Sequence, residues 1–299
     1  MKYNIGITGH SGSLGKSLKK NKTQNKYFFY KYDIRDKKKL NSWFLNNKLD
    51  LIIHLAAIVP IKIVNKNRKK AFDVNYVGTK NIVDVSKKFN IRWFFFASTS
   101  HVYKSKKFTI KETSLKKPIS YYGKTKRLAE KYVSKNIKNY CVGRIFSTAN
   151  KDQRKNYLIP DLKEKIKNTK KKITLKNLNH YRDFISMENI SKIINILLKK
   201  KYVGFVNIGS GKKIYLKDIA KIILKKYNKK GSFIDNKNPT YLIADTRKLK
   251  KITKINFKSN IKNMIFSKIK WINYHGLFNL LSLVVFKHDW IWFFYFKNS

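Results

Sequence analysis

The chain has 299 residues, with 69 Lys and Arg against 16 Asp and Glu and a formal charge of +53. At 42% apolar residues it is too hydrophobic for a disordered polyelectrolyte, and its length suits one large α/β domain or two small ones. A single cysteine, Cys141, excludes a disulfide scaffold and a multi-cysteine zinc site.

Along the chain, a β-branched strand over 2–8 leads through a glycine-rich turn into a helix over 14–20. A strand over 27–32, a helix over 37–47 and a continuous apolar strand over 50–57 follow. Helical periodicity covers 72–89, then a strand 92–99, a helix 120–135 and a strand 140–146. Strands alternating with helices predict an α/β fold: a Rossmann-like parallel sheet with helices on both faces. After Phe146 the alternation weakens. Helices are expected over 158–168, 187–200 and 216–227, with a strand over 204–208 and a turn at Gly209-Ser210-Gly211. This half reads as a smaller C-terminal lobe over the sheet.

The charge invites a nucleic-acid reading, since dense Lys neutralises phosphate. The eight Arg leave 61 Lys, scattered along every helix. Abundant Asn, Ile, Phe and Tyr share adenine- and thymine-rich codons with Lys. Phosphate and base readers lean on the Arg fork, so a solvated Lys surface is the preferred reading over a nucleic-acid partner. Residues 271–299 differ: they hold two Lys and three of the five Trp. The apolar stretches 277–286 and 290–296 fall short of the ~20 residues that span a bilayer. Peripheral membrane contact, a partner-binding segment and an aberrant terminus stay open for this tail. The start of the chain reads as a strand rather than a signal peptide, which makes the cytoplasm the expected compartment.

Three motifs carry chemistry. Thr8-Gly9-His10-Ser11-Gly12-Ser13-Leu14-Gly15 follows the first strand. Glycines three apart let backbone amides approach a pyrophosphate, and the next helix points its positive end at that anion. A Walker A reading fails because His10 stands five residues before Gly15, where that motif needs glycine. Tyr122-Gly123-Lys124-Thr125-Lys126 places Tyr122 and Lys126 on one helix face. A nearby ammonium lowers a phenol's pKa from ~10 and makes Tyr122 a general acid/base. The segment Ala97-Ser98-Thr99-Ser100-His101 ends an apolar strand, where open α/β sheets bind ligands. His10, His54 and His180 show no metal-like spacing with carboxylates, and Cys141 reads as core packing.

In this order, and with Asp33-Ile34-Arg35-Asp36, His54-Leu55-Ala56-Ala57, Asn75, Gly78-Thr79, Gly143-Arg144-Ile145-Phe146, Tyr181-Arg182-Asp183-Phe184-Ile185, Asn207-Ile208-Gly209-Ser210-Gly211 and Ala244-Asp245-Thr246, the sequence resembles the extended short-chain dehydrogenase/reductase superfamily, in its nucleotide-sugar epimerase/dehydratase/reductase branch. The resemblance covers residues 2–255. It implies an NAD(P)-binding Rossmann domain over 1–146, completed by 181–208. A substrate lobe then comprises 147–180 and 209–262, and an atypical tail 263–299. It implies NAD or NADP as cofactor, a nucleotide-sugar substrate and a homodimer. By position, Gly9, Gly12, Ser13, Leu14 and Gly15 bracket the pyrophosphate; Asp33 and Ile34 meet adenine; Leu55, Ala56 and Ala57 line the cofactor. Thr99 is the catalytic hydroxyl, Tyr122 the acid/base, Lys126 the ribose-binding residue that tunes Tyr122, and Arg182 a contact to substrate phosphates.

Departures narrow the activity. The 4,6-dehydratases carry Asp-Glu after the catalytic Thr, whereas Ser100 and His101 stand here. His101 is either an auxiliary acid/base or a histidine bonded behind the strand. Between Gly15 and Asp33 no acid is placed to grip a ribose 2′-hydroxyl, and Lys31 lies near that region, which admits NADP. The same compression looks like the dTDP-4-dehydrorhamnose reductase group. The preferred expectation is hydride transfer at C4 of a 4-keto hexose. A cofactor-retaining 4-epimerase and a catalytically idle dinucleotide-binding scaffold are the alternatives. The set Thr99, Tyr122 and Lys126 argues against the last.

Overall fold

The structure is a computed structural model that describes residues 2–266 except 22, 151, 152, 171, 236, 237 and 259. The first half supplies β1 (Asn4–Thr8), α1 (Ser13–Lys20), β2 (Lys26–Phe29), α2 (Lys37–Asn47), β3 (Leu51–His54), α3 (Ile61–Lys66), α4 (Arg68–Phe72), α5 (Gly78–Lys88), β4 (Trp93–Thr99), α6 (Tyr121–Asn136) and β5 (Tyr140–Ile145). Then come β6 (Ser147–Ala149), α7 (Leu158–Asn168), β7 (Ile173–Lys176), β8 (Tyr181–Arg182), β9 (Phe184–Ser186), α8 (Met187–Lys199) and β10 (Gly204–Ile208). The chain closes with β11 (Ile214–Tyr215), α9 (Leu216–Lys226), β12 (Gly231–Ile234), β13 (Tyr241–Leu242), α10 (Arg247–Thr253) and α11 (Ile261–Ile265).

Six strands form one parallel sheet in the order β2-β1-β3-β4-β5-β10. Successive side chains of a strand point to opposite faces, so one apolar run serves two cores. Ile5, Ile7, Leu51, Ile53, Trp93 and Phe95 pack with Ile190, Ile193, Ile194 and Leu197 of α8. Ile52, Phe94, Phe96 and Val142 face the other way, onto Leu40 and Phe44 of α2, Ile82 and Val83 of α5, and Ala129 and Val133 of α6. Burying each such side chain contributes about 1.5–3 kcal/mol, so the alternation fixes the register. The chain runs outward from β1 to β2 and then crosses back to β3. The crevice at the carboxyl ends of β1 and β3 is therefore the switch point where open sheets bind ligands.

Three small sheets sit in the later half: β11-β8-β13, β7-β12 and β6-β9. Strands of two to four residues are too short to show a period, which is why the sequence reading passes over them. The strand expected over 50–57 ends at His54, because Ala56 N turns to the Thr8 hydroxyl at 3.3 Å and leaves the ladder. The helix expected over 72–89 is α4, a π-helical turn at Asp73–Val77 and α5 in sequence. Within that turn the Asn75 amide accepts from Ile58 N at 2.7 Å and donates to Ile58 O at 3.0 Å, fixing the loop after β3. Residues 271–299, singled out for their aromatic content, lie outside the described residues. Among the described residues no helix is long and apolar enough to cross a membrane.

Candidate active site

The glycine turn between β1 and α1 folds as its spacing requires. Gly9 has φ +69, and a Cβ there would lie 2.5 Å from Ala56 N. A Cβ on Gly15 would lie 2.5 Å from the His10 Cα, so α1 packs directly on the turn. Gly12 is the N-cap of α1; no side chain caps the helix and no acid stands in its first turn. Its amides and positive dipole end are left for an anion, so this cradle fits the pyrophosphate of a dinucleotide.

Behind the turn a polar chain joins β1 to α6. Ala56 N donates to Thr8 Oγ1, which lies 2.6 Å from His54 Nδ1; His54 Nε2 lies 2.9 Å from Thr79 Oγ1, which donates to Asn75 O. Asn75 Nδ2 reaches Thr125 Oγ1 at 3.3 Å, and Thr125 donates to Tyr122 O at 2.8 Å. Burial holds the His54 pKa well below its ordinary value, with Lys126 adding to the effect. The loop after β3 and the helix that bears Tyr122 are thus fastened together.

Thr99 closes β4, and its Oγ1 accepts from His101 N at 3.2 Å. Ser120 caps α6 by accepting from Gly123 N at 3.1 Å. A Cβ on Gly123 would lie 2.3 Å from His101 O, so glycine brings the helix start against the Thr99–His101 turn. Burial raises the Tyr122 pKa, Tyr157 adds to the rise, and the Thr99 hydroxyl opposes it. In the protein itself burial therefore outweighs the lowering expected from Lys126. Lys126 is fully buried, its Nζ 3.9 Å from the centre of the Phe96 ring. Burial pushes its pKa down to about 7, with Glu130 pulling the other way.

His101 has its ring 6.1 Å from that of Tyr122, and Nδ1 lies 3.3 Å from the Ser120 hydroxyl. Burial, then Arg182, lowers its pKa to about 4, so the imidazole is neutral at pH 7. Arg182 on β8 donates through Nη1 to Tyr181 O at 2.7 Å and Thr240 O at 2.9 Å, and through Nη2 to Thr240 Oγ1 at 2.9 Å. Its pKa falls to about 10 through burial. The adjacent Asp183 accepts from Ser210 N and Oγ, Gly211 N and Ala244 N, pinning the Gly209-Ser210-Gly211 turn.

A single cavity of about 1300 Å³ gathers Gly9, Gly12, Ser13, Leu14, Gly15, Leu55, Ala56, Ala57, Thr99, His101, Tyr122 and Arg182 on its walls. Asp33, Ile34 and Lys126 do not line it. Asp33 is engaged by Arg35 at 2.6 Å, Ile34 packs beneath Gly78, and Lys126 is buried over the Phe96 ring. Lys62, Lys70, Arg154, Lys155, Lys165, Lys176 and Arg182 line the cavity against one carboxylate, Asp161, which pairs with Lys62. The net charge of this lining is positive, which suits an anionic ligand. Arg154 and Tyr157 were not singled out by sequence reasoning, since one basic or aromatic residue among so many carries no signal.

A family model described as GDP-mannose 4,6 dehydratase matches residues 7–265. A dTDP-D-glucose 4,6-dehydratase of Dictyostelium discoideum is 28% identical over 213 residues, which are 66% of this chain and 49% of that protein. The chain thus spans about half the length of that relative. A GDP-6-deoxy-D-talose 4-dehydrogenase of Aggregatibacter actinomycetemcomitans is 29% identical over 208 residues, 65% of this chain and 69% of that protein. Among solved structures, a dTDP-4-dehydrorhamnose reductase from Bacillus anthracis in complex with NADP superposes with a TM-score of 0.75 at 20% identity, covering 87% of this chain and 95% of the other. This likeness confirms the α/β Rossmann-like fold.

Proposed function

Because the chain belongs to the family whose model is described as GDP-mannose 4,6 dehydratase, we propose that it transfers hydride between a nicotinamide dinucleotide and C4 of a nucleotide-linked hexose. The observation that carries this reading is the meeting of the uncapped glycine turn with Thr99, His101 and Tyr122 in one electropositive cavity. That volume exceeds the ~1,000 Å³ upper range of ordinary ligand sites and suits two large anionic ligands.

The nicotinamide, when bound, supplies or accepts the hydride. Tyr122 Oη gives its proton to the sugar carbonyl oxygen in the reducing direction and takes it back in the other. Thr99 Oγ1, on the same cavity wall, hydrogen-bonds the same oxygen. Lys126 sits one helical turn further along α6, and its charged form stabilises the phenolate that Tyr122 becomes. His101, neutral and beside Tyr122, accepts or donates a hydrogen bond to a neighbouring sugar hydroxyl. Arg182, which lines the same cavity, takes the substrate's phosphates.

Reduction of a 4-keto sugar is favoured over dehydration. Elimination needs an acid pair beside the sugar, and the carboxylate among the described lining residues is Asp161, held by Lys62. The test starts with purified protein: any dinucleotide released on denaturation is identified by mass. Stripped protein is then titrated with NADH and NADPH by thermal shift and assayed on 4-keto-6-deoxy nucleotide sugars. Stabilisation by either dinucleotide together with turnover supports the reading. Tightly retained NAD with interconversion of UDP-hexoses points to a 4-epimerase instead. Binding of neither dinucleotide withdraws the enzyme assignment.

A further inference from the structure

We propose that Arg154 clamps the pyrophosphate of the bound dinucleotide, an assignment that rests on the reading above. Arg154 lies between β6 and α7, 143 residues from the glycine turn, yet its Nη2 donates to Ser11 O at 2.9 Å. Arg154 and Ser11 both line the cavity. The guanidinium therefore stands at the turn whose next residues open α1.

The turn needs a cation that it does not carry. A pyrophosphate brings two negative charges, whereas the helix end offers about half a positive charge plus amide dipoles. Residues 9–15 contain neither Lys nor Arg, and His10 turns to β2, where Nδ1 lies 3.0 Å from Tyr30 O. Of the other cations that line the cavity, Lys62 pairs with Asp161 and Lys155 with Glu164. Among the described residues, the guanidinium of Arg154 makes its one hydrogen bond to Ser11 O. Its other donors form the planar fork that suits phosphate oxygens. Because Arg154 is exposed, it adds charge to the cradle without supporting the core.

A diphosphate reaches this cavity from the dinucleotide or from the nucleotide sugar. The Ser11 contact assigns Arg154 to the first, while Arg182 faces the second from β8. The test titrates wild-type protein, Arg154→Met and Arg154→Lys with NADPH and NADH by nicotinamide fluorescence. UDP, dTDP and GDP are titrated in parallel, and melting is followed by circular dichroism. Arg154→Met should weaken both dinucleotides about tenfold or more, with nucleoside diphosphates and melting temperature unchanged, and Arg154→Lys should recover part of the loss. Unchanged dinucleotide affinity in Arg154→Met overturns the clamp, as does a loss confined to nucleoside diphosphates. Equal weakening of every ligand with a lowered melting temperature overturns it too, by showing a structural role. Wild-type protein that binds no dinucleotide overturns the function proposed above, before any variant is compared.

Discussion

Arg144 of β5 and Glu130 of α6 form an ion pair closed off from solvent, with Nε–Oε1 and Nη2–Oε2 both 2.9 Å. Ser98 Oγ donates to the same carboxylate at 2.6 Å and Arg127 Nη1 at 3.1 Å. Arg144 Nη1 donates to Tyr103 Oη at 2.8 Å, and Tyr103 donates to Asn207 Oδ1 at 2.7 Å. One network thus ties β4, α6, β5 and β10 together behind the wall that carries Thr99 and Tyr122. A buried pair of this kind contributes little net stability over apolar packing, but breaking it is costly.

Glu130→Gln should therefore lower stability by about 3 kcal/mol, since it leaves the Arg144 guanidinium buried with no countercharge. The urea midpoint should fall with an unchanged slope. The same variant removes the group that holds Lys126 charged, so the Lys126 pKa should drop further below about 7. A midpoint equal to wild type would show that water reaches Arg144.

Two glycines of the turn separate folding from binding. Gly9→Ala forces a side chain into φ +69 and against the Ala56 backbone at 2.5 Å. It should cost about 2 kcal/mol or more in stability. Gly12 has φ −72, and its added Cβ would meet Gly9 O at 3.3 Å, a contact that slight relaxation relieves. Gly12→Ala should melt near wild type while losing at least about tenfold in NADPH affinity, because the methyl occupies the pyrophosphate's approach. Paired melting curves and fluorescence titrations check both. Equal destabilisation of the two variants would mean that Gly12 also serves the fold.

The sheet is legible in the sequence because its central strands are continuous apolar runs: β3 and β4 are buried nearly end to end. The glycine turn is legible because only glycine tolerates the Gly9 conformation and the Gly15 approach. Other features depend on distance in space. Nothing local to Lys126 shows that α6 buries it, or that burial would set its pKa. Asp33 and Ile34 are legible as a motif, but the Arg35 pairing and the Gly78 contact are tertiary facts. The Arg154–Ser11 contact joins segments 143 residues apart, beyond any periodicity.

Tyr122→Phe should retain the fold and dinucleotide affinity while the rate of hydride transfer falls 10²–10⁴-fold, roughly the range of general acid catalysis. The ring is buried and keeps its apolar contacts with Val64 and Ala71, so packing changes little. Loss of the phenol removes the proton donor. Single-turnover oxidation of prebound NADPH by a 4-keto sugar separates this step from product release. A rate within twofold of wild type would assign the proton to another group, His101 being the nearest candidate.

The pH dependence of stability isolates His101. In the folded protein its pKa is about 4, against 6.5 for the ordinary imidazole. Between those values the unfolded chain binds a proton that the folded one refuses, so stability falls as pH drops from 6.5 to 4 and is unaffected above 6.5. Carboxylates add their own acid sensitivity, but they are common to wild type and variant. His101→Asn should thus show a shallower loss of the urea midpoint between pH 6.5 and 4.5, and the two proteins should run parallel above pH 7. The slope should flatten without vanishing, because His54, fixed between Thr8 and Thr79, is held neutral in the same way. Identical slopes would mean that the imidazole takes up its proton in the folded cavity. His101 would then act there as a cation rather than as a neutral partner of Tyr122.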